Sequence, residues 1–488
     1  MEKQEKPPGK EPGKLRQLLV TVVANLSALS YGTIIGWQSP AAPLLQSSSS
    51  PIGSEPMTDD QVSWINGITC LFGIFVVALF AVIPDKFSRK RLGCGLALPL
   101  IISWVLIIVA TEHAYIYISR ALGGIGGAVL FFIVPTYVSE ISCDSIRGFL
   151  ASVLAFFLNF GIMLMFILGG VTSLRDSAII CLTLPVLYFV ALAFMPESPV
   201  YLVRQNRIDE AARSLRWLSA GDNIVAERKL SHLQLQLKEA ASTKPANLSD
   251  LFRDRATIKG LIIVLGLYVG QQLCGIFPMI SYSESIFKIS GSSLSPNTSA
   301  IIVAAIQLLG TVVSLFLVER AGRRPLILIS CAGMCMCHLT IGAFCYFQNL
   351  EYEVSGFSWI PVVALSVYML LYSLGMGGGP VVIMSEIFSR DVTTLGISVG
   401  QTVSWTGAFI MGKIFADLVA LLGMDGCFFL LATFCACIFL FIFVLLPETK
   451  GRLREDIVDE LNGVRTKTKD KQNIEHIIGT DAVHAVHV

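Results

Sequence analysis

The sequence predicts an all-α polytopic membrane protein in which twelve transmembrane helices form two six-helix, pseudo-symmetric halves. Its composition supports this fold class: 54% of the 488 residues are hydrophobic, 15% are charged, and the mean hydropathy is +0.69. Soluble domains are less apolar and carry more charge. Because the centre of a bilayer offers no water to the backbone, helices are the expected form of the apolar segments.

A duplicated pattern of short charged motifs supports the division into two halves. Each motif of the first half has a counterpart in the second half, in the same order, and the separation grows from 234 to 251 positions. This growth indicates an insertion between two copies of one unit, and paired units around a central site are typical of transporters. The pairs are residues 85–91 with 319–325, 139–148 with 385–396, and 196–199 with 447–450.

Twelve apolar segments define the spans, since a helix needs roughly 20 residues to cross a bilayer. The Gly-rich fourth and tenth segments are the least expected to form straight helices. The segments lie near residues 18–38, 62–83, 93–111, 114–138, 148–171, 177–195, 260–288, 298–318, 325–347, 358–384, 394–422 and 425–446.

These spans divide the chain into five parts. Residues 207–218 and 226–239 have apolar side chains at helical spacing, so short amphipathic helices are expected between the halves. The parts are a cytoplasmic tail 1–16, a first six-helix half 17–195, a cytoplasmic linker 196–256, a second six-helix half 257–446, and a cytoplasmic tail 447–488.

The distribution of basic residues predicts the orientation in the membrane. Of the 36 Lys and Arg residues, all but Arg120, Arg175, Lys288 and Lys413 lie in the tails, the linker or the even-to-odd connections. Basic residues accumulate on the cytoplasmic side, so both termini are expected there. Asn297, the acceptor of an N-linked glycosylation motif, then falls in an outside loop. No cleavable signal peptide is expected before the first span.

No residue pattern indicates catalysis, a metal, a cofactor or nucleic-acid binding. Cys331, Cys335 and Cys337 share a span with His338 but have no acidic or second histidine partner, which favours packing over metal binding. No Ser/His/Asp or Cys/His arrangement indicates an enzyme. Neither Gly-rich segment follows a strand or carries the lysine of a nucleotide-binding loop. The net charge of +1 gives no indication of a nucleic-acid partner.

Ionised side chains at the ends of the spans predict a conformational latch. Such groups are costly near a bilayer and usually functional, and carboxylates recur at matching positions of both halves. Opposite charges there can pair when the cytoplasmic side closes and separate when it opens. The predicted latch residues are Asp85, Arg89, Arg120, Glu140, Arg147, Glu319, Arg323 and Glu386.

Span ten contains the predicted hinge, at Gly375, Gly377 and Pro380. Glycine is conformationally free, and proline removes a backbone hydrogen bond from a helix. The glycines at 123–127 of span four instead suit close helix packing.

The ordered motifs resemble the sugar-porter branch of the major facilitator superfamily, the GLUT-type transporters, over residues 17–456. The markers are residues 196–199, 270–276, 319–324 and 447–452. The resemblance is closest to the facilitated trehalose transporters of insects, which have Asn and Gly placed like Asn159 and Gly161 in span five. It implies the major facilitator fold.

The resemblance also implies a set of sugar-binding residues. Amide side chains suit sugar hydroxyls because they both donate and accept hydrogen bonds without a charge, and an indole ring can stack on a pyranose face. The implied residues are Gln271, Gln272, Gln307, Trp405, Asn159 and Tyr282. The family's polar or tryptophan side chains are replaced by Phe277, Ser373, Val381 and Ala408, and Ala155 stands for the span-five glutamine.

The resemblance implies facilitated uniport of a sugar, trehalose or a hexose, across the plasma membrane by alternating access. The protein is expected to work as a monomer, with the sugar and membrane lipid as partners. Proton-coupled relatives carry an aspartate in span one, but residues 18–37 contain no acidic residue, which favours uniport over proton-coupled symport. A non-transporting sugar receptor with the same fold is a second hypothesis. Transport of a less polar solute is a third, favoured by Phe277, Val381 and Ala408.

Overall fold

The computed structural model describes residues 12–53, 55–82, 87–143, 145–241, 248–291, 294–388, 392–452 and 454–463. Helices account for the secondary structure of these residues, with short turns between them. The predicted latch residue Asp85 and the side chain of Glu319 lie outside the described part of the chain.

The first half consists of six spans. Span one is formed by two helices separated by Trp37 alone, and each of the other five is one continuous helix. The helices are α1 (Lys14–Gly36), α2 (Gln38–Leu45), α3 (Asp59–Val82), α4 (Arg89–Ile108), α5 (His113–Ile141), α6 (Arg147–Val171) and α7 (Leu174–Ala193).

The linker contains the expected amphipathic helices. They are α8 (Pro199–Arg204), α9 (Ile208–Leu218) and α10 (Asn223–Ala241), followed by a 3-10 turn at Leu248–Phe252. The Arg16 guanidinium donates to the Trp217 carbonyl at 2.9 Å, so the start of span one is tied to α9. The helices α9 and α10 confirm the two helices predicted at residues 207–218 and 226–239.

The second half also has six spans, but spans seven and ten are interrupted. Its helices are α11 (Arg255–Leu273), α12 (Ile276–Ser281), α13 (Ser283–Ile289), α14 (Pro296–Ala321), α15 (Arg323–Asn349), α16 (Ile360–Leu374), α17 (Gly379–Ile387) and α18 (Thr393–Leu445), followed by α19 (Arg454–Asn462).

The helix α18 contains two spans. Its apolar part covers 51 residues, or about 75 Å at the rise of an α-helix, more than twice the thickness of the hydrocarbon core. Gly423 reverses the chain there with a φ of 74° and a ψ of 169°, outside the helical region. With the ten other apolar helical segments, the described residues contain the twelve predicted spans. We call the side of the bundle that holds Lys14 and α19 the terminal side, and the opposite side the distal side.

Span four, one of the two spans least expected to be straight, forms a single continuous helix, α5. Its glycines admit neighbouring helices. A Cβ atom on Gly124 would lie 2.0 Å from the Thr69 carbonyl oxygen of α3, and one on Gly127 would lie 2.2 Å from the Tyr31 ring of α1. The close-packing role predicted for residues 123–127 is thus seen in their contacts.

Candidate functional site

Two interrupted helices bring backbone groups into the middle of the second half. In span seven, α11 ends at Leu273 and α12 begins at Ile276, after Gly275 with a φ of 89°. In span ten, the chain leaves the helix between Leu374 and Gly379. Irregular backbone at membrane depth is tolerated where it is buried in protein or lines a cavity, and in transporters it commonly marks the substrate site.

The paired glutamines of span seven face different neighbours. The Gln271 amide nitrogen donates to the carbonyls of Met376 and Gly377, at 3.0 and 3.1 Å, so it binds the backbone of the span-ten break. The Gln272 amide nitrogen donates to the Ser404 hydroxyl of α18 at 3.0 Å. Consecutive residues of a helix are about 100° apart, which accounts for the divergence.

Gln272 has a free acceptor in a buried position. The side chain is 8% exposed, and within the described residues its Oε1 atom has no hydrogen-bond partner. Gly407 makes room for it, since a Cβ atom there would lie 2.9 Å from the Gln272 side chain. A buried acceptor without a donor is costly, so this oxygen is suited to a ligand hydroxyl or a water molecule.

Gln307 and Asn159 meet at the interface between the halves. The Asn159 side-chain amide donates to the Thr311 hydroxyl at 2.9 Å. The Thr311 hydroxyl in turn donates to the backbone carbonyl of Gln307 at 3.0 Å. The Ser373 hydroxyl donates to the same carbonyl at 3.3 Å. The Gln307 side chain itself makes no hydrogen bond to the described part of the chain. Its amide is therefore available to a ligand.

Trp405 belongs to an aromatic cluster between the halves. Its ring centroid lies 6.4 Å from that of Tyr31 and 6.2 Å from that of Phe131, both of the first half. A Cβ atom on Gly73 would lie 2.3 Å from the indole, so a glycine is required opposite the ring. The ring faces of this cluster can cover one side of a sugar.

Tyr282 lies at the junction of α12 and α13 and packs on α18. Its hydroxyl donates to the Gly412 carbonyl at 3.5 Å, and its ring centroid is 5.5 Å from that of Phe415. These contacts place Tyr282 beside α18, toward the distal side from Gly275. Of the six predicted binding residues, Gln272 and Gln307 keep polar groups without partners, whereas Gln271, Asn159 and Tyr282 are engaged with protein.

Among the described residues, four of the predicted latch residues form ion pairs on the terminal side, one pair in each half. Arg89 and Glu140 join α4 to α5 at 3.1 Å, with side chains 4% and 10% exposed. Arg323 and Glu386 join α15 to α17 at 3.0 Å, with side chains 18% and 25% exposed. Arg147 donates to the Ser142 carbonyl at 3.3 Å. Both pairs connect residues of the same half, whereas the sequence interpretation expected pairing between halves.

Glu197 and Glu448 belong to this cluster, although the sequence reasoning assigned them no role. Glu197 accepts hydrogen bonds from the Lys90 and Ser198 backbone amides, at 3.2 and 2.9 Å. Glu448 accepts from the Arg323 backbone amide at 3.2 Å. Each carboxylate thus lies at a helix N-terminus, where the partial positive charge of the helix stabilises it. The repeat of residues 196–199 at 447–450 was the signal that could have identified both.

Arg120 does not belong to the latch, and its assignment there was wrong. It precedes Glu140 by 20 positions on the same helix, which corresponds to about 30 Å. Arg120 is 2% exposed, donates to the Ile34 carbonyl at 2.6 Å and covers the Trp37 ring at 4.3 Å. It therefore holds the junction of α1 and α2.

The hinge residues coincide with the interruption of span ten, but proline does not cause it. Pro380 occupies the first turn of α17, where a helix needs no backbone donor. Gly375 is the crowded position, since a Cβ atom there would lie 2.4 Å from the Leu326 carbonyl oxygen, whereas one on Gly377 would meet its nearest atom at 3.1 Å. The hydroxyl of Ser330 accepts from the Met376 amide at 3.3 Å.

Contacts between the halves close the distal side. The Asn297 amide nitrogen donates to the Phe166 carbonyl at 3.0 Å and to the Glu284 carboxylate at 2.9 Å. Asn297 is half-buried, and Ser299 of its glycosylation motif is fully buried. A glycan would replace one of the two hydrogens of this nitrogen, so glycosylation at Asn297, which stays a prediction, requires at least one of the two hydrogen bonds to break. Lys413 forms a further ion pair with Asp60.

Comparison with known proteins identifies the same fold and a family. A family described as "Sugar (and other) transporter" matches residues 20–460. The chain is 31% identical over 458 residues to a facilitated trehalose transporter of Culex quinquefasciatus, covering 94% of this chain and 88% of that protein. It is 29% identical over 462 residues to the protein of that name from Bombyx mori, covering 94% and 90%. An inward-open structure of the xylose transporter XylE from E. coli superimposes with a TM-score of 0.74 at 20% identity, covering 90% of this chain and 98% of that one.

Proposed function

This chain belongs to the sugar transporter family, and on that premise we propose that it carries a small sugar, trehalose or a hexose, by facilitated alternating-access transport. The names of the most similar relatives support a disaccharide such as trehalose. The distribution of Lys and Arg supports a plasma-membrane protein with cytoplasmic termini. The terminal side is then cytoplasmic and the distal side extracellular. We propose a monomer in contact with lipid.

One observation carries the substrate site: two amide side chains keep polar groups for a ligand beside the interrupted span seven. Gln272 presents a buried acceptor without a donor, and the Gln307 amide makes no hydrogen bond to the described residues. Trp405, on the same helix as Ser404, provides a ring face between the halves beside Tyr31 and Phe131. Hydroxyl-rich, uncharged ligands match such a lining because each amide can donate and accept.

Uniport is supported by the surroundings of Arg120. Proton coupling requires a titratable group that changes its exposure between conformations. Span one offers no carboxylate between residues 18 and 37, and within the described residues the Nε and Nη2 atoms of Arg120 have no hydrogen-bond partner. The XylE relative is titled a proton:xylose symporter, so proton-coupled symport is the alternative to test.

The first experiment measures uptake of radiolabelled trehalose, glucose and xylose into proteoliposomes. We expect saturable uptake of at least one sugar that stops at concentration equality and is unaffected by a protonophore. Accumulation above equality that a protonophore abolishes would establish symport instead. Binding of a sugar without uptake would favour a receptor.

The second experiment tests the site. Gln272→Leu removes the free acceptor while keeping the bulk, and the loss of one buried hydrogen bond costs about 1–3 kcal/mol, or roughly tenfold to a hundredfold in affinity. Gln307→Leu should weaken affinity similarly. Gln271→Leu is the matched comparison, because its amide holds span ten, and it should change rate more than affinity. Unchanged affinity in Gln272→Leu, Gln307→Leu and Trp405→Ala together would exclude this site.

A further inference from the structure

The break in span seven leaves a carbonyl group that the helix cannot satisfy. In an α-helix the carbonyl of one residue accepts from the N–H group four positions later. For Cys274 that position is Pro278, which has no N–H group. Gly275, with a φ of 89°, also turns the backbone away from the helical path. Because Cys274 is only 1% exposed, its carbonyl needs hydrogen-bond donors from outside its own helix.

Two side chains from neighbouring spans supply these donors. The Nε2 atom of His338 lies 2.9 Å from the Cys274 carbonyl oxygen, and the Tyr368 hydroxyl donates to the same oxygen at 2.9 Å. Both side chains are fully buried, and their ring centroids are 4.7 Å apart. Because a carbonyl only accepts, Nε2 must carry the hydrogen of a neutral imidazole. The Nδ1 atom is buried without a partner in the described residues, as that tautomer requires.

Spans seven and ten each donate hydrogen bonds to the free backbone carbonyls at the other span's break. Tyr368 of span ten donates to the Cys274 carbonyl at the span-seven break. Gln271 of span seven donates to the Met376 and Gly377 carbonyls at the span-ten break. A displacement of either break thus strains hydrogen bonds at the other.

We propose that His338 and Tyr368 are positioning residues of the transport cycle, which hold the Cys274 carbonyl and make Gly275 the pivot for α12 and α13. The distal segment beyond the pivot contacts the first half, since the Glu284 backbone amide donates to the Ser39 hydroxyl at 3.2 Å. Opening the distal side requires this segment to move, and the fixed carbonyl confines the bend to one residue. The inference rests on sugar transport, not on the assignment of Gln272 and Gln307.

The test compares variants that remove or restore the donors. His338→Leu and Tyr368→Phe each remove one donor, and the double variant removes both. His338→Gln restores a donor, because the glutamine amide nitrogen reaches about as far as the histidine Nε2. Tyr268→Phe is the matched control, because the Tyr268 hydroxyl is buried in the same half and, within the described part of the chain, donates only to the Met384 sulfur, at 3.7 Å.

We expect His338→Leu to lower the maximal rate of uptake about tenfold, with sugar affinity and membrane abundance close to wild type. Tyr368→Phe should cause a smaller loss, the double variant the largest, and His338→Gln and Tyr268→Phe should remain near wild type. The proposal is wrong if His338→Leu keeps the wild-type rate, or if its rate falls only in proportion to abundance and His338→Gln does not restore it. Absence of uptake in the wild-type protein would instead contradict the proposed function.

Discussion

The two halves agree at the ends of their helices and differ in the middle of corresponding spans. Span four is one continuous helix of 29 residues, whereas its counterpart, span ten, is divided into α16 and α17. Both spans are rich in glycine. In span four a Cβ atom on Gly124 would meet the backbone of α3 at 2.0 Å, whereas one on Gly378 of span ten would meet nothing within 4 Å. Glycine therefore packs helices together in span four, whereas span ten combines a crowded glycine at Gly375 with an open one at Gly378.

The charged ends show how far the duplication is retained. Arg89 with Glu140 and Arg323 with Glu386 are equivalent pairs. In each half a further carboxylate, Glu197 or Glu448, accepts from the backbone at the start of the helix that carries the arginine. The first pair is the more deeply buried one. The comparison teaches that the first half serves as the more rigid body, while the second half holds the breaks and the free amides. Three predictions test this difference.

The largest effect is expected from the ion pairs. Removing one partner of a buried pair costs about 3–5 kcal/mol. The cost falls as solvent reaches the pair, and Arg323 and Glu386 are more exposed than Arg89 and Glu140. We expect Glu140→Gln to lower the thermal stability of the purified protein strongly and Glu386→Gln to lower it weakly. Both should slow transport while sugar binding persists, because neither residue lies at the proposed substrate site.

Thermal unfolding in detergent, together with uptake and sugar binding, checks this difference. Asp209→Asn on the exposed face of α9 is a suitable control for loss of one acidic charge on the terminal side. Equal loss of stability in Glu140→Gln and Glu386→Gln would contradict the distinction between the halves. Loss of binding with unchanged turnover would place these carboxylates at the substrate site instead.

The second prediction compares Gly124→Ala with Gly378→Ala. Extra methyl groups in packed interiors cost about 1–3 kcal/mol, so Gly124→Ala should reduce the amount of folded protein and its melting temperature. Gly378 has helical dihedral angles and open space around it, so its alanine variant should fold normally and slow transport by stiffening span ten. Normal transport by Gly378→Ala would exclude a hinge at this glycine.

The sequence predicted the number of spans and the duplicated ends because apolar length and charge are local properties. Helical geometry alone accounts for the different directions of Gln271 and Gln272. The partners of these residues could not be predicted, since Met376 and Ser404 follow more than a hundred positions later. The role of Arg120 could not be predicted, because its partners Ile34 and Trp37 precede it by more than eighty positions. The support that His338 gives to Cys274 depends on long-range packing, and only an unexplained histidine in an apolar span pointed to it.

The smallest effect is expected at Asn297, where the halves meet on the distal side. Asn297→Ala removes two hydrogen bonds, of which the one to Phe166 joins the halves and contributes about 1 kcal/mol, so the population should shift toward distal opening about fivefold. Ser299→Ala removes the glycosylation motif but keeps the Asn297 amide, so it separates the two roles. If the contact matters, Asn297→Ala alone should raise the accessibility of a distal cysteine probe such as Ser39→Cys, since Ser39 is 1% exposed and lies against Glu284 of the other half. If a glycan matters instead, both variants should change surface abundance equally and lose a glycosidase-sensitive mobility shift. The two hydrogen bonds of the Asn297 amide nitrogen and an attached glycan exclude each other in this conformation, because a glycosylated amide nitrogen keeps a single hydrogen.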